Sequence, residues 1–439
     1  VPTLLDNHRV FTASIFKDTI SNQASANVFF TFGKKLPWSN EAVPATANTS
    51  PAHSAEIWQS IIGVKRITGN DVQHCIPRYD WTANTVYTQY DQNSLTLGQD
   101  NVKFYVVNSD FNVYKCLYNN GGANSTVKPT AINPTNITQT ADGYTWKFMY
   151  SVSGSEQIRF TTGSYIPIKS LSADDGSLQW DVQEGATDGA IYGISLTSGG
   201  TAYSNNSNIT IAIGGDGTGA TATANINLTS GLVHTITLTD YGTGYTNASV
   251  TISGGAGSGA TAKALIGPPG GHGADPLYEL VGKNLILNPR LINSEGGVLS
   301  VSNDFRQVAI LLNPLTYGNL APAGNSAYSQ TFDLTVSGVG ADYVQDEYVY
   351  QGASLATATF YGTVVEYDSA NTVVLVTNTA GTPISDPLVG VTSAASKYVT
   401  SIGLPDLKIN TGEFLYVDNI VAISRNVNQS EDFKITIKF

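Results

Sequence analysis

The sequence predicts a mainly β protein: a discontinuous β-sandwich-like core with few short helices, carrying two small inserted all-β modules. Three observations lead there. The 439 residues include 23 Tyr and 43 Gly but only 13% charged residues, a balance that suits turn-rich β structure and not a helical or disordered chain. Apolar residues recur in short alternating runs bounded by Gly, Pro and Asn. A Gly/Ala/Thr-rich stretch in the middle of the chain occurs twice in tandem.

Taken in order, Val28-Phe-Phe-Thr-Phe reads as a strand that ends at Gly33. Ser54 to Gly63 reads as a helix, with Ile57, Ile61 and Ile62 at helical spacing, Trp58 beside Ile62 and a terminal glycine. Lys103-Phe-Tyr-Val-Val and Asn112 to Tyr118 read as two strands of a hairpin around Asn108-Ser-Asp. Asn119-Asn-Gly-Gly and the Pro/Thr/Asn-rich run to Thr140 form a loop, and Tyr144 to Val152 alternates as another strand.

From Gly189 to Ile266 the composition shifts to Gly, Ala, Thr, Ile and Asn. Gly189 to Tyr203 is echoed by Gly231 to Tyr245, and Gly219-Ala-Thr-Ala-Thr-Ala224 by Gly259-Ala-Thr-Ala-Lys-Ala264. Each copy must be a supersecondary unit that stacks on the other. Alternating runs such as Asn208-Ile-Thr-Ile-Ala-Ile make the unit one of strands, and Pro268-Pro-Gly-Gly-His-Gly marks its exit. A second all-β stretch includes Tyr348-Val-Tyr-Gln-Gly, Ala358 to Tyr367 and Thr372-Val-Val-Leu-Val-Thr. The organisation expected is therefore core at 1–188, a duplicated module at 189–267, core at 268–326, a second module at 327–403, and core at 404–439.

The bulk numbers exclude several function classes. A formal net charge of −12 argues against a nucleic-acid groove, which needs Lys and Arg against phosphates. No run of about 18 apolar residues predicts a membrane helix, and the first residues lack the basic-then-apolar order of a signal peptide. The only methionine is Met149, so processing, or numbering from a mature chain, accounts for a start at Val1. Cys75 and Cys116 form neither a disulfide framework nor a zinc motif. Without a secretory signal, Asn136-Ile-Thr and Asn208-Ile-Thr are Asn- and Thr-rich strands and turns, and not glycosylation sites.

Candidate chemistry is sparse. Gly214-Gly-Asp-Gly-Thr-Gly-Ala220 contains a G-x-G-x-x-A pattern, but Thr221 onward alternates as a strand where a dinucleotide loop needs a helix, so these are turn glycines. His8, His53, His74, His234 and His272 are isolated from one another. His74 and Cys75 would point to opposite faces of a strand, which leaves a buried Cys and a solvated His. Asp174 and Asp175, with Asp181 and Glu184, lack the ligand alternation of a calcium loop, and read as turn acids before they read as a glycosidase pair. Pro37-Trp38-Ser39 and Arg78-Tyr-Asp-Trp81 are polar-aromatic clusters that serve either as inter-subunit contacts or as local turns. No catalytic, cofactor or metal residues are assigned, and no cofactor is expected.

Six segments occur in one order: FFTFGKKLPWS (Phe29 to Ser39), HCIPRYDW (His74 to Trp81), VYKCL (Val113 to Leu117), DGYTWKFMY (Asp142 to Tyr150), FRQVAILLNPL (Phe305 to Leu315) and GEFLYVDN…FKITIKF (Gly412 to Phe439). In that order the chain resembles the baseplate wedge proteins of T4-like contractile-tailed phages, the gene product eight family. The resemblance implies a mainly β, non-enzymatic structural subunit, made in the host cytoplasm and residing in the virion tail baseplate. It implies a homodimer in each wedge that contacts other wedge proteins, with no nucleic acid or membrane partner. The shorter family form lacks both inserts. A host glycan- or receptor-binding tail protein is the second reading, with the inserts making the glycan contact.

Overall fold

The computed structural model describes residues 5–22, 26–48, 50, 53–204 and 208–439. Among them lie twenty-seven strands and five helices, so the fold is mainly β, as the sequence predicts. The longest helix is α1 (Asp6–Ser21), which buries Val10, Ala13 and Ile20 and carries Asp6 in its first turn, where a carboxylate suits the helix dipole. The sequence reading did not find it. Its Ser, Thr, Phe and Ile content gives little intrinsic helix preference, and tertiary burial supplies the rest.

β1 (Val28–Gly33) is buried along its whole length. α2 (Ser54–Ser60) then gives way directly to β2 (Ile61–Ile67). The helix expected to reach Gly63 therefore stops at Ser60. Ile61 and Ile62 are β-branched, stiff in a helix and well placed in a strand, and Ile61 pairs with Gly33 on β1. Gly63 has a different role from a helix stop: a Cβ there would lie 2.4 Å from the Phe32 ring and 2.8 Å from Leu299.

The next elements are β3 (Val72–Pro77), β4 (Tyr105–Val107), β5 (Asn112–Asn119), β6 (Thr138–Gln139), β7 (Tyr144–Ser151), α3 (Gly154–Phe160), β8 (Tyr165–Pro167) and α4 (Leu178–Glu184). The expected hairpin is present: Tyr105 faces Lys115 and Val107 faces Val113, and Asn108 Oδ1 accepts from the Asp110 and Asn112 amides at 2.9 and 3.0 Å. β4, β5, β7 and β6 form one sheet in that order. Its face with Tyr87, Tyr144 and Trp146 is a buried aromatic cluster in which Tyr144 stacks on Trp146 at 5.5 Å. The opposite face holds Tyr105, Val107, Val113, Met149 and Tyr150.

The duplicated stretch folds as six strands: β9 (Ile191–Thr201), β10 (Ile209–Gly215), β11 (Thr218–Asn227), β12 (Leu232–Thr243), β13 (Ala248–Gly254) and β14 (Ser258–Ile266). The copies do not fold side by side as separate units; they exchange strands. β10 pairs with β13, β11 with β12, and β14 with β9. The exchange is symmetric in detail. Register shifts at Thr221/Ala222 and Asn225/Ile226 recur at Thr261/Ala262 and Leu265/Ile266. The Thr221–Thr239 hydroxyl pair recurs as Thr197–Thr261, each at 2.7 Å. Tyr203 and Tyr245 are both buried, and a Cβ at Gly257 or Gly217 respectively would come within 2.4 Å of their rings. A repeat that cannot bury its own apolar face closes on its neighbour.

The chain continues through α5 (Pro276–Glu279), β15 (Asn284–Leu287), β16 (Arg290–Ile292), β17 (Asp304–Leu312) and β18 (Ala327–Ser329). β19 (Phe332–Ser337), β20 (Tyr348–Gln351), β21 (Phe360–Asp368), β22 (Val373–Gly381), β23 (Pro387–Gly390) and β24 (Ser396–Gly403) follow. β25 (Glu413–Ser424), β26 (Ser430–Asp432) and β27 (Ile435–Lys438) end it. Two compact units result, one of residues 1–15, 73–286 and 436–439, the other of 16–72 and 287–435. The first holds the β4–β7 sheet, the duplicated module and the sheet β27-β15-β3-β8. The second is built on the sheet β18-β2-β1-β17-β25. In it β1 and β17 are central and almost wholly buried, running antiparallel from Val28 opposite Leu312 to Gly33 opposite Gln307. β19 to β24 close into a barrel around Leu334, Val349, Phe360, Val364, Val376 and Val399. Closure removes the edges that short strands would otherwise expose.

Candidate interface

The residues singled out from sequence are mostly absorbed by the fold. His74 is buried, not solvated as expected: its Nδ1 lies 2.8 Å from the Gly282 carbonyl and its Nε2 3.3 Å from Ser14 Oγ. Ser14 of α1 and the Gly282 carbonyl cover the His74 side of β3, while Cys75 packs with Phe160 and Ile286 on the other, so alternation does not bring His74 to solvent. Burial pushes the Cys75 and Cys116 thiols up, away from the reactive thiolate. Asp174 and Asp175 are exposed turn acids that accept from the Gly176 and Ser177 amides at 2.8 and 3.0 Å, just before the Ser177 cap of α4. Asp181 and Glu184 are exposed on that helix. The Gly214–Ala220 segment is a strand-to-strand turn, with no helix behind it to offer amides to a phosphate. There Asp216 accepts from the Thr246 and Asn247 amides at 3.0 Å each. The Thr246 hydroxyl, then these amides, hold its carboxyl down at about 2. His8 and His234 are exposed, and His53 bonds Ser50 and Asn48 beside α2.

The two polar-aromatic clusters bond within the chain. Arg78 chelates Asp80 through three contacts of 3.0–3.1 Å, and the Trp81 indole donates to Ser125 Oγ at 3.1 Å. Trp38 donates from its backbone to Glu41 at 3.0 Å and from its indole to the Ile420 carbonyl at 2.9 Å. Glu41 accepts from Arg306, which with Lys34 grips Asp304; Lys34 also reaches Asp346 at 2.7 Å. Burial opposes ionisation of Asp304, but bonds and charge from Lys34 and Arg306 outweigh it and hold the carboxyl below its usual range. These bonds lock each cluster to its own unit, with Pro37 and Ser39 left exposed.

Sequence reasoning missed two buried ionic groups. Lys115 and Lys147 face each other across β5 and β7, both buried. Lys115 bonds Glu279 and lies 4.4 Å over the Tyr90 ring, while Lys147 donates to the Pro134 carbonyl at 2.6 Å. Glu279 is held in turn by the Gly273 and Asp275 amides. In the other unit the buried Arg425 bonds Glu431, Ser300 and Asn293 and covers the Phe32 ring at 5.2 Å. The signal in sequence is faint: a basic residue inside an otherwise apolar or aromatic strand.

What remains open is an edge. β25 is the outer strand of its sheet, and β17 is its one strand partner among the described residues. Its second half is covered by the segment carrying Trp38 and Ala45, which bond Ile420 and Asn419. Its first half borders a groove of about 620 Å³ between the strand and α2, lined by Ile57, Trp58, Phe414, Leu415 and Val417 among others. Leu415 and Val421 are 42% and 51% exposed. An exposed apolar edge strand is a template for pairing with another chain. No group of three or more His, Cys, Asp or Glu that would hold a metal occurs among the described residues.

Residues 3–127 match the Phage-Gp8 family, described as bacteriophage T4, Gp8. The gene product eight resemblance thus holds over the N-terminal part of the chain. This Gp8 stretch includes α1, β1, α2 and the β4–β5 hairpin, and with them the FFTFGKKLPWS, HCIPRYDW and VYKCL segments. The duplicated module, the barrel and β25 lie outside the match. No curated protein matches the chain.

Proposed function

We propose that this chain is a structural subunit of a contractile-tail phage baseplate wedge. It acts as a dimeric scaffold that joins neighbouring wedge proteins during assembly and baseplate rearrangement. Its place is the virion tail, after synthesis in the host cytoplasm, and its function lies in its contacts rather than in catalysis. The observation that carries this reading is the Gp8 match over residues 3–127. Stiff antiparallel sheets, a closed barrel and locally locked polar clusters suit a part that must hold its shape under load. In this reading core segments 1–188, 268–326 and 404–439 belong to the shared scaffold, and 189–267 and 327–403 are added modules. We place one protein contact on the open half of β25 and its groove, because pairing there would extend the sheet and cover Leu415.

Multi-angle light scattering of the purified chain tests the dimer, with Leu415→Lys as the probe of the β25 edge. The expected result is twice the monomer mass, shifted toward monomer in the variant. A monomer at all concentrations contradicts the dimeric scaffold. A dimer unmoved by the variant contradicts the placement on β25. A host glycan-binding tail protein is the second reading, favoured by a tyrosine-lined groove beside the duplicated module.

A further inference from the structure

A groove of about 310 Å³ runs where β9 and β12 of the duplicated module face the β5–β7–β6 sheet. That volume lies at the lower end of ligand-sized clefts, which run roughly 300–1,000 Å³. Tyr118, Tyr192 and Tyr241 supply aromatic surface, and Asn120, Gln139 and Thr237 supply amide and hydroxyl groups. Tyr192 and Tyr241 lie 4.8 Å apart with their planes tilted by 42°. No charged side chain lines the groove among the described residues. A charged ligand would lose its hydration there with no counter-charge to replace it, which disfavours phosphates, nucleotides and acidic or basic peptides.

The repeat itself shows that the strand registers of the module do not require these rings. Superposing the copies by sequence puts His234 at the place of Tyr192 and Gly199 at the place of Tyr241. Both copies nonetheless keep the same registers, bulges and threonine pairs. Each tyrosine is therefore an addition to one copy, and the two additions meet at this groove. Tyr241 is 36% exposed, and Gln139, also exposed, lines the same groove.

We propose that this groove binds a neutral oligosaccharide. The apolar C–H faces of one or two sugar rings would rest on the tyrosines, and their hydroxyls would bond Gln139, Asn120 and Thr237. The proposal is independent of the scaffold role: a wedge subunit can carry it, and its failure leaves that role untouched.

Saturation-transfer difference NMR on the full chain tests it. The probes are neutral disaccharides of glucose, galactose, mannose and N-acetylglucosamine in α and β linkage, with a sialylated disaccharide as the charged control. At least one neutral disaccharide should receive saturation at its ring protons, and the sialylated one less. Tyr241→Ala should weaken that binding roughly tenfold, about 1.4 kcal/mol, and Gln139→Ala should weaken it in a fold whose melting curve is unchanged. Saturation of no neutral disaccharide, or binding unchanged in both variants, overturns the proposal.

Discussion

Lys115 shows how far the fate of one residue can lie from its sequence context. Every residue from Val113 to Leu117 is buried, because the sheet is covered on both faces, so period-two alternation does not reveal which side chains meet solvent. The strands themselves were legible in VYKCL and DGYTWKFMY. The partner of Lys115 was not, since Glu279 stands 164 positions away. Removing one member of a buried ion pair strands the other charge. Lys115→Met should therefore cost about 3–5 kcal/mol in urea unfolding. Lys115→Met with Glu279→Gln, which removes the stranded charge and keeps an acceptor for the Gly273 and Asp275 amides, should recover most of that loss. Burial, and secondarily the Lys115 charge, bring Lys147 down to about 8. Burial, then the charges of Lys115 and Lys147, lower His272 well below its ordinary value. His272 Nδ1 has no hydrogen-bond partner among the described residues, and the ring packs between Tyr90 and Tyr192. A histidine held neutral in the fold but free to protonate when unfolded loses stability as pH falls through its unfolded value of about 6.5. Stability should decline below that pH by at most about 1.4 kcal/mol per unit from this group. His272→Phe should flatten the slope between pH 6.5 and 5 in a denaturation series, and an unchanged slope refutes the assignment.

At the scale of elements, the α2–β2 junction and the duplicated module teach opposite lessons. Ile57, Ile61 and Ile62 satisfy helical spacing, yet the last two belong to β2, where Ile61 pairs with Gly33, because strand pairing and β-branching outweigh a local pattern of this length. The module was legible as strands and as a duplication, since its alternation and its echoed glycines are local. The exchange of strands between copies was not, because either pairing satisfies the same alternation. The pseudo-symmetry makes a sharp prediction. Gly217→Ala and Gly257→Ala each drive a methyl group into a buried tyrosine ring, and each should cost about 1–3 kcal/mol by overpacking. Unequal losses, one of them near zero, would show that the two halves are not structurally equivalent. β25 belongs to the same scale. Val421 and Leu415 are exposed, so Val421→Lys and Leu415→Lys should change the stability of the folded chain by no more than about 0.5 kcal/mol, which calorimetry checks while light scattering tests the proposed dimer.

The molecule is built of antiparallel sheets and one closed barrel, and its candidate function is mechanical. The scattered histidines and turn-bound acids have packing, turn or solvent roles in the structure. The open half of β25 was not legible, because an edge is a property of sheet order, which the GEFLYVDN segment does not encode by itself. The surfaces that matter in a baseplate are those left uncovered by one chain. A cryo-EM map of the assembled phage particle tests the central claim most directly. The account predicts paired copies of this chain in every baseplate wedge, in contact with other wedge proteins, with β25 covered by a neighbour. Copies found as trimers at fibre tips, away from the wedges, would contradict it.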